Sequence, residues 1–199
     1  MYEWRKMTPK ERADALAHRR ANRWPWHSPP HVNLGPGAYL ISASCFEHRA
    51  IIGESPERMA IFEDALCEML YQHARAVYAW CVLPNHYHAL VETAGVEDVA
   101  WQLGRLHGRC SRFWNLEEGC VGRKTWFNCT NRAMRDDRHF WATMNYVQHN
   151  AVKHGYVDRW EEWPYSSARG FLQEVGRDEA LRLWREYPIL DYGKGWDEN

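Results

Sequence analysis

The sequence predicts an α+β fold built on a four-stranded antiparallel sheet. Short runs rich in β-branched and aromatic residues alternate with longer segments whose apolar residues repeat every three or four positions. Their order along the chain is strand, helix, strand, strand, helix, strand, helix. This order is typical of a ferredoxin-like split βαβ sheet with helices on one face, to which the chain adds an N-terminal arm and a C-terminal helical appendage.

The first half of this pattern contains three strands and one helix. The first strand is predicted at residues 38–46, and two hairpin strands at residues 76–82 and 86–92 are separated by a Leu-Pro-Asn turn. Ser55 can cap the intervening helix and Pro56 suits its first position. We therefore expect the helix to begin there and to continue for about five turns.

The second half is predicted to contain a helix, a strand and a final helix. Residues 96–113 have the apolar face of a helix, residues 124–130 favour a strand, and residues 139–153 form the last helix. Gly155 follows the last helix and can end it.

We expect one domain with two extensions in this chain of 199 residues. Residues 1–36 are predicted to form a basic helix, capped by Thr8, and a proline-rich arm. Residues 37–170 hold the predicted sheet and its helices. Residues 171–199 form the C-terminal appendage.

Composition narrows the class of protein. The sequence contains no apolar run near the roughly 18 residues that a membrane helix needs and no signal-peptide pattern at its start, so we expect a cytoplasmic protein without a membrane partner. The six cysteines form no C-x-x-C pair, which argues against a zinc ribbon and against a disulfide scaffold.

Charge is unevenly distributed although the net charge is only −1. Residues 101–135 carry seven basic and two acidic side chains, whereas residues 156–199 carry six basic and ten acidic ones. A basic middle is compatible with a polyanion-binding face, but a solvated helix surface has the same pattern. The acidic end of the chain is a candidate regulator that could occupy the path of a bound polyanion.

Two groups of polar residues stand out as candidate chemistry. His86 and His88 are two apart on a predicted strand, so both imidazoles project from one face, close enough to hold one metal ion. On the last predicted helix, one face presents Tyr146, His149, Asn150 and Lys153. An exposed polar helix face explains the second group equally well.

Three ordered motifs resemble the HUH single-tyrosine transposases, and most closely their REP-associated tyrosine transposase branch. They are residues 83–91 (LPNHYHALV), residues 146–155 (YVQHNAVKHG) and residues 163–167 (WPYSS). The resemblance extends over about residues 37–170 and identifies them as the catalytic domain. One departure is Ala151, where the family usually has a proline that would bend the helix near the site.

The resemblance implies a role for each matching residue. Tyr146 is the expected nucleophile, which attacks a DNA phosphodiester to leave a 5′-phosphotyrosine and a free 3′-hydroxyl. His86, His88 and Asn150 are the expected ligands of a divalent ion, Mg²⁺ or Mn²⁺. His149 and Lys153 are expected to assist.

The same resemblance implies that the partner is single-stranded or hairpin DNA, from repetitive palindromes, in a bacterial protein associated with the nucleoid. It leaves open a monomer or a homodimer. The candidate DNA contacts are Arg105, Arg109 and Arg112, spaced along one helix, and Trp26 in the arm.

Two other functions remain open on the sequence. A domesticated protein could bind DNA hairpins without cleaving them. A metal-dependent hydrolase could use His86 and His88 with Tyr146 as an acid, although no nearby carboxylate completes a closed zinc triad.

Overall fold

The computed structural model describes residues 35–193 and, nearer the N-terminus, Thr8, Lys10, Glu11, Asp14 and Ala17. Four strands form one antiparallel sheet in the order β2-β3-β1-β4. Their bounds are Gly37–Ser44 (β1), Ala76–Val82 (β2), His86–Thr93 (β3) and Thr130–Ala133 (β4). Because β3 lies between β2 and β1 in this order, the sheet has the predicted split βαβ topology.

Helices connect the strands and complete the chain. Their bounds are Pro56–His73 (α1), Val96–Glu117 (α2), Asp137–Gln148 (α3), Asn150–Lys153 (α4), Ala168–Val175 (α5) and Arg177–Glu186 (α6). The predicted start of α1 is confirmed, since the Ser55 side chain accepts a hydrogen bond from the backbone N–H of Arg58 and Pro56 is the first helical residue.

Both faces of the sheet are covered. The crossover helices α1 and α2 pack on one face, where Phe62 and Leu103 join Tyr87 of β3 in the core. Helices α3, α5 and α6 pack on the other face, where Val147 and Leu183 share a second core with the sheet. The prediction of helices on one face is therefore confirmed for the crossover helices α1 and α2. A second layer of helices covers the other face, so β3 is buried on both faces.

The fourth strand lies further along the chain than residues 124–130. In that segment Trp126 forms only an isolated bridge to Cys45, and its ring stacks on His107 with centroids 4.1 Å apart. Pairing with β1 begins at Thr130. The burial of Trp126 in the α2 core thus replaces regular strand pairing there.

The N-terminal cap is confirmed in part, because the Thr8 hydroxyl accepts a hydrogen bond from the Glu11 N–H at 3.3 Å. The arm and Trp26 lie outside the described residues. The expected domain boundary after residue 170 falls inside α5. No described helix has both the length and the apolar character needed to cross a membrane.

Candidate active site

The alternation of β3 sets the two candidate metal ligands on the same face of the sheet, as predicted. His86 and His88 are both buried, with ring centroids 5.1 Å apart. Tyr87, between them, lies on the opposite face, where it contacts the ring of Phe62. The two imidazoles therefore face α3 and α4, which carry the other candidate site residues.

His88 joins the sheet to the tyrosine helix. Its Nδ1 lies 2.6 Å from the Ser42 hydroxyl, on the neighbouring strand β1 and directly opposite in the pairing register. Its Nε2 lies 3.2 Å from the Tyr146 hydroxyl. Ser42 thereby orients the ring so that Nε2 meets the phenol.

His86 makes a parallel pair of contacts. Its Nδ1 lies 2.8 Å from Asn85 Oδ1 and its Nε2 lies 3.1 Å from Asn150 Oδ1. Asn150 is fully buried, and its Nδ2 has no hydrogen-bond partner within the part of the chain that the structure describes. A buried amide without such a partner is costly, which indicates that the group has a function other than packing.

These donors fit a divalent ion. The two imidazoles of β3 have ring centroids 5.1 Å apart, and the Asn150 carboxamide oxygen lies 3.1 Å from His86 Nε2; such a set leaves coordination positions for phosphate oxygens and water. Within residues 35–193 and the five described residues before them, no group of three or more His, Cys, Asp or Glu side chains is arranged to hold a metal. The candidate donors are two imidazoles and the Asn150 carboxamide, which differ from the ligands of a closed zinc triad.

The last helix is broken just before Asn150. The predicted single helix at residues 139–153 is two helices, because His149 has φ −93° and ψ 5° and separates α3 from α4. The break forms although Ala151, and not proline, follows Asn150. Ala151 is buried in the core between the sheet and α3, together with Cys81, whose pKa is raised by burial.

His149 makes its contacts away from Tyr146. Its Nδ1 donates to the Asn145 carbonyl at 3.1 Å, and its ring packs against Trp160 and Trp184. Burial lowers the pKa of His149. The structure therefore does not bring this expected auxiliary residue to the tyrosine, and its contacts are those of a packing residue.

Lys153, the other expected auxiliary residue, does lie at the site. Its Nζ is 5.0 Å from the centre of the Tyr146 ring and donates to the carbonyl of Gly193 at 3.0 Å. A cation at this distance favours a negative charge on the phenol.

A C-terminal segment, Tyr192 and Gly193, covers Tyr146, which is 1% exposed. The Tyr192 ring lies 5.5 Å from the Tyr146 ring, and the Tyr192 hydroxyl accepts a hydrogen bond from Thr143 at 2.6 Å. Gly193 follows, with φ +74°. This contact spans more than forty residues and has no local pattern by which sequence reasoning could find it.

Sequence reasoning also missed three neighbours of the histidines. They are Ser42, Asn85 and His154, whose ring centroid lies 4.9 Å from that of His86. The spacing of His154, four residues after Asn150, is the signal that could have found it.

The arginine stripe lies elsewhere. Arg105, Arg109 and Arg112 are on the exposed side of α2, which packs on the face of the sheet opposite Tyr146. The Arg105 guanidinium lies over the Trp101 ring at 4.9 Å. The structure therefore separates these candidate DNA contacts from the tyrosine site.

Comparison with known proteins identifies the family of the chain. No family model matches it. A protein of Haemophilus influenzae described as a REP-associated tyrosine transposase is 33% identical over 126 residues, which cover 56% of this chain and 68% of the relative. A solved REP-associated tyrosine transposase, bound to a REP hairpin, superposes with a TM-score of 0.58 at 18% identity over 76% of this chain and 86% of that one, which establishes the shared fold. On the sequence match, this chain belongs to the REP-associated tyrosine transposases.

Proposed function

We propose that this protein cleaves and rejoins single-stranded or hairpin DNA through a covalent bond to Tyr146. The observation that carries the proposal is the hydroxyl of Tyr146 at 3.2 Å from His88 Nε2, beside the contact between His86 Nε2 and Asn150 Oδ1. A phenol next to a set of donors that fits a divalent ion has the parts that an attack on a phosphodiester requires.

The substrate class follows from family membership and from access. The solved relative holds a REP hairpin. A phosphate must reach the Tyr146 hydroxyl between the sheet and α3, and an unpaired strand at the foot of a hairpin enters such a site more easily than a duplex does.

In the proposed reaction the Tyr146 oxygen attacks phosphorus and the bond to the 3′ oxygen breaks. The products are a 5′-phosphotyrosine and a 3′-hydroxyl, which takes up a proton as it leaves. The number of phosphodiester bonds is unchanged, so reversal of the step can rejoin DNA without a nucleotide cofactor. Lys153 stabilises the phenolate as the hydroxyl loses its proton.

His86, His88 and Asn150 would hold the divalent ion, Mg²⁺ or Mn²⁺. The bound ion supplies a positive charge that polarises the scissile phosphate. Ser42 contacts His88 through the ring nitrogen remote from the site and so orients the imidazole.

The cover over Tyr146 must move before DNA can react. With Tyr192 against its ring and only 1% of its surface exposed, Tyr146 is inaccessible to a phosphate. Displacing Tyr192 and Gly193 exposes the phenol without disturbing β3. The proposed active form therefore has this segment displaced.

An adduct assay tests the proposal. The full-length protein is incubated with labelled hairpin DNA carrying a single-stranded flank, in Mn²⁺, in Mg²⁺ or in EDTA, and a denaturation-resistant protein–DNA band is measured. We expect a metal-dependent band that Tyr146→Phe abolishes, with hairpin binding retained.

A DNA-hairpin-binding protein without cleavage activity is the second candidate. The coverage of Tyr146 by the C-terminal segment favours it, because a buried phenol does not react. Hairpin binding with no adduct in any metal, both in the wild type and after the segment is displaced by Gly193→Ala, would select this function.

A further inference from the structure

The half-buried side chain of Asn85 has its orientation fixed from one end. Its Nδ2 donates to the backbone carbonyl of His48 at 3.2 Å. A carbonyl oxygen only accepts hydrogen bonds, so the nitrogen of the amide must be the atom that faces it. The amide oxygen is thereby directed at His86 Nδ1, 2.8 Å away.

This orientation fixes the tautomer of His86. A carboxamide oxygen has no proton to give, so a neutral His86 must carry its hydrogen on Nδ1 to bond with Asn85. Its Nε2 then holds a lone pair that points at Asn150 Oδ1, 3.1 Å away. Two acceptors that face each other repel unless a cation lies near both.

Asn150 can relieve the conflict and Asn85 cannot. The Nδ2 of Asn150 makes no hydrogen bond within the described residues, so no contact seen there opposes a rotation that presents Nδ2 to His86. Rotating Asn85 instead would set its oxygen against the His48 carbonyl. The neutral site therefore keeps the Nδ1–H form of His86 whether or not an ion is bound.

The loop that provides the His48 carbonyl has an uncommon backbone. Glu47 and His48 both have left-handed backbone conformations, with φ 58° and 51°, which residues other than glycine rarely adopt. The loop is tied to the turn before β3 by the Cys45 N–H, which donates to the Asn85 carbonyl at 2.7 Å. Strain of this kind persists only where surrounding contacts hold it, and Asn85 is one of those contacts.

We infer that Asn85 is a positioning residue that fixes His86 as the Nδ1–H tautomer, so that Nε2 is always available to a divalent cation. The inference rests on the proposed function only in taking His86 as a metal ligand. Asn85 contacts neither DNA nor the ion in this account, and it acts entirely through His86.

The tautomer is measured directly by long-range ¹H–¹⁵N correlation of the histidine rings in the metal-free protein. We expect His86 to show a protonated Nδ1 and an unprotonated Nε2 in the wild type. In Asn85→Ala we expect both tautomers, and Mn²⁺ affinity, measured without DNA, lower by about 10- to 100-fold.

Two variants separate positioning from general damage. Asn85→Asp keeps an oxygen that accepts from His86 Nδ1, so we expect the wild-type tautomer, with a lower stability because its second oxygen faces the His48 carbonyl. Ser42→Ala removes the partner of His88, so we expect changed His88 signals and unchanged His86 signals.

The inference is wrong if Asn85→Ala leaves His86 in one Nδ1–H tautomer, whatever happens to Mn²⁺ affinity. It is equally wrong if the wild type carries the proton on Nε2. Failure of the proposed function is a separate result, because absence of a Tyr146 adduct does not change the tautomer of His86.

Discussion

Gly193 lies directly against the ring of Tyr146. A Cβ built on Gly193 would come within 2.3 Å of Tyr146 Cε2, a distance that side-chain atoms do not tolerate, and the residue has φ +74°. The proposed nucleophile is thus covered at a position that only glycine can occupy. Because Lys153 donates to the carbonyl of Gly193, the same side chain contacts both the phenol and its cover.

Gly193→Ala tests whether this cover controls reactivity. The added methyl group cannot fit beside Tyr146, so we expect the segment to leave and the rate of adduct formation to rise about 10-fold. We expect a small loss of stability, about 1–2 kcal/mol, from the lost contacts and the unfavourable φ. Gly170→Ala is the matched control, since nothing lies within 4 Å of its added Cβ. Equal adduct rates in Gly193→Ala and the wild type would show that the segment does not limit access.

Removal of one imidazole tests the metal site. We expect His88→Ala to lower Mn²⁺ affinity, measured by calorimetry without DNA, by about 100-fold, and to abolish the adduct. His73→Ala is the control, because the half-buried His73 lies at the end of α1, where it pairs with Asp98 at 3.4 Å. Mn²⁺ binding that survives in His88→Ala would place the ion elsewhere.

The stability of the fold is expected to depend on pH through His107. Burial lowers the pKa of His107 to about 4, and Tyr87 contacts its Nε2 at 3.0 Å. In the unfolded chain the His107 imidazole has a pKa near 6.5, so between pH 4 and 6.5 the unfolded state binds more protons than the folded state. The free energy of unfolding is therefore highest above about pH 6.5 and falls as the pH drops toward 4.

The expected loss amounts to about 3 kcal/mol by pH 4. Urea unfolding at several pH values measures it, and His107→Gln, which has no titrating ring, should reduce the slope of the profile between pH 4 and 6.5, leaving the contribution of His149. A slope in that interval that is the same in His107→Gln as in the wild type would assign the dependence to other groups.

The arginine stripe on α2 is expected to bind DNA away from the tyrosine. If Arg105, Arg109 and Arg112 each contact a duplex phosphate, their triple alanine variant should reduce the salt slope of hairpin binding by about 2.7. The rate of adduct formation at saturating DNA should be unchanged, since α2 lies on the other face of the sheet. A salt slope equal to that of the wild type would leave these residues as a solvated helix surface.

The strands and helices around the site were predictable because their signals are local. Alternation on β3 placed His86 and His88 on one face, and the spacing of four between Tyr146 and Asn150 placed both on one side of the helix. His149 was expected on the same side by the same rule. Its ring packs on Trp160 instead, and its Nδ1 is bonded to the Asn145 carbonyl.

The remaining features depend on contacts distant in sequence. Ser42 meets His88 only through strand pairing, and Gly193 meets Tyr146 only after the C-terminal segment has folded back. The fourth strand was expected too early because Trp126 looks like a strand residue but packs as a core residue beside His107. In each case tertiary packing decides what local propensity leaves open.

In the proposed reaction Tyr146 becomes joined to the 5′ side of a cleaved strand. Proteolysis of the adduct formed in Mn²⁺, followed by mass spectrometry, identifies the modified residue, and extension of the released strand by a polymerase detects a 3′-hydroxyl. We expect nucleotide on the Tyr146 peptide through a 5′-phosphate, together with an extendable 3′ end. Attachment to another residue, or a 3′-phosphate linkage, would contradict the proposed reaction.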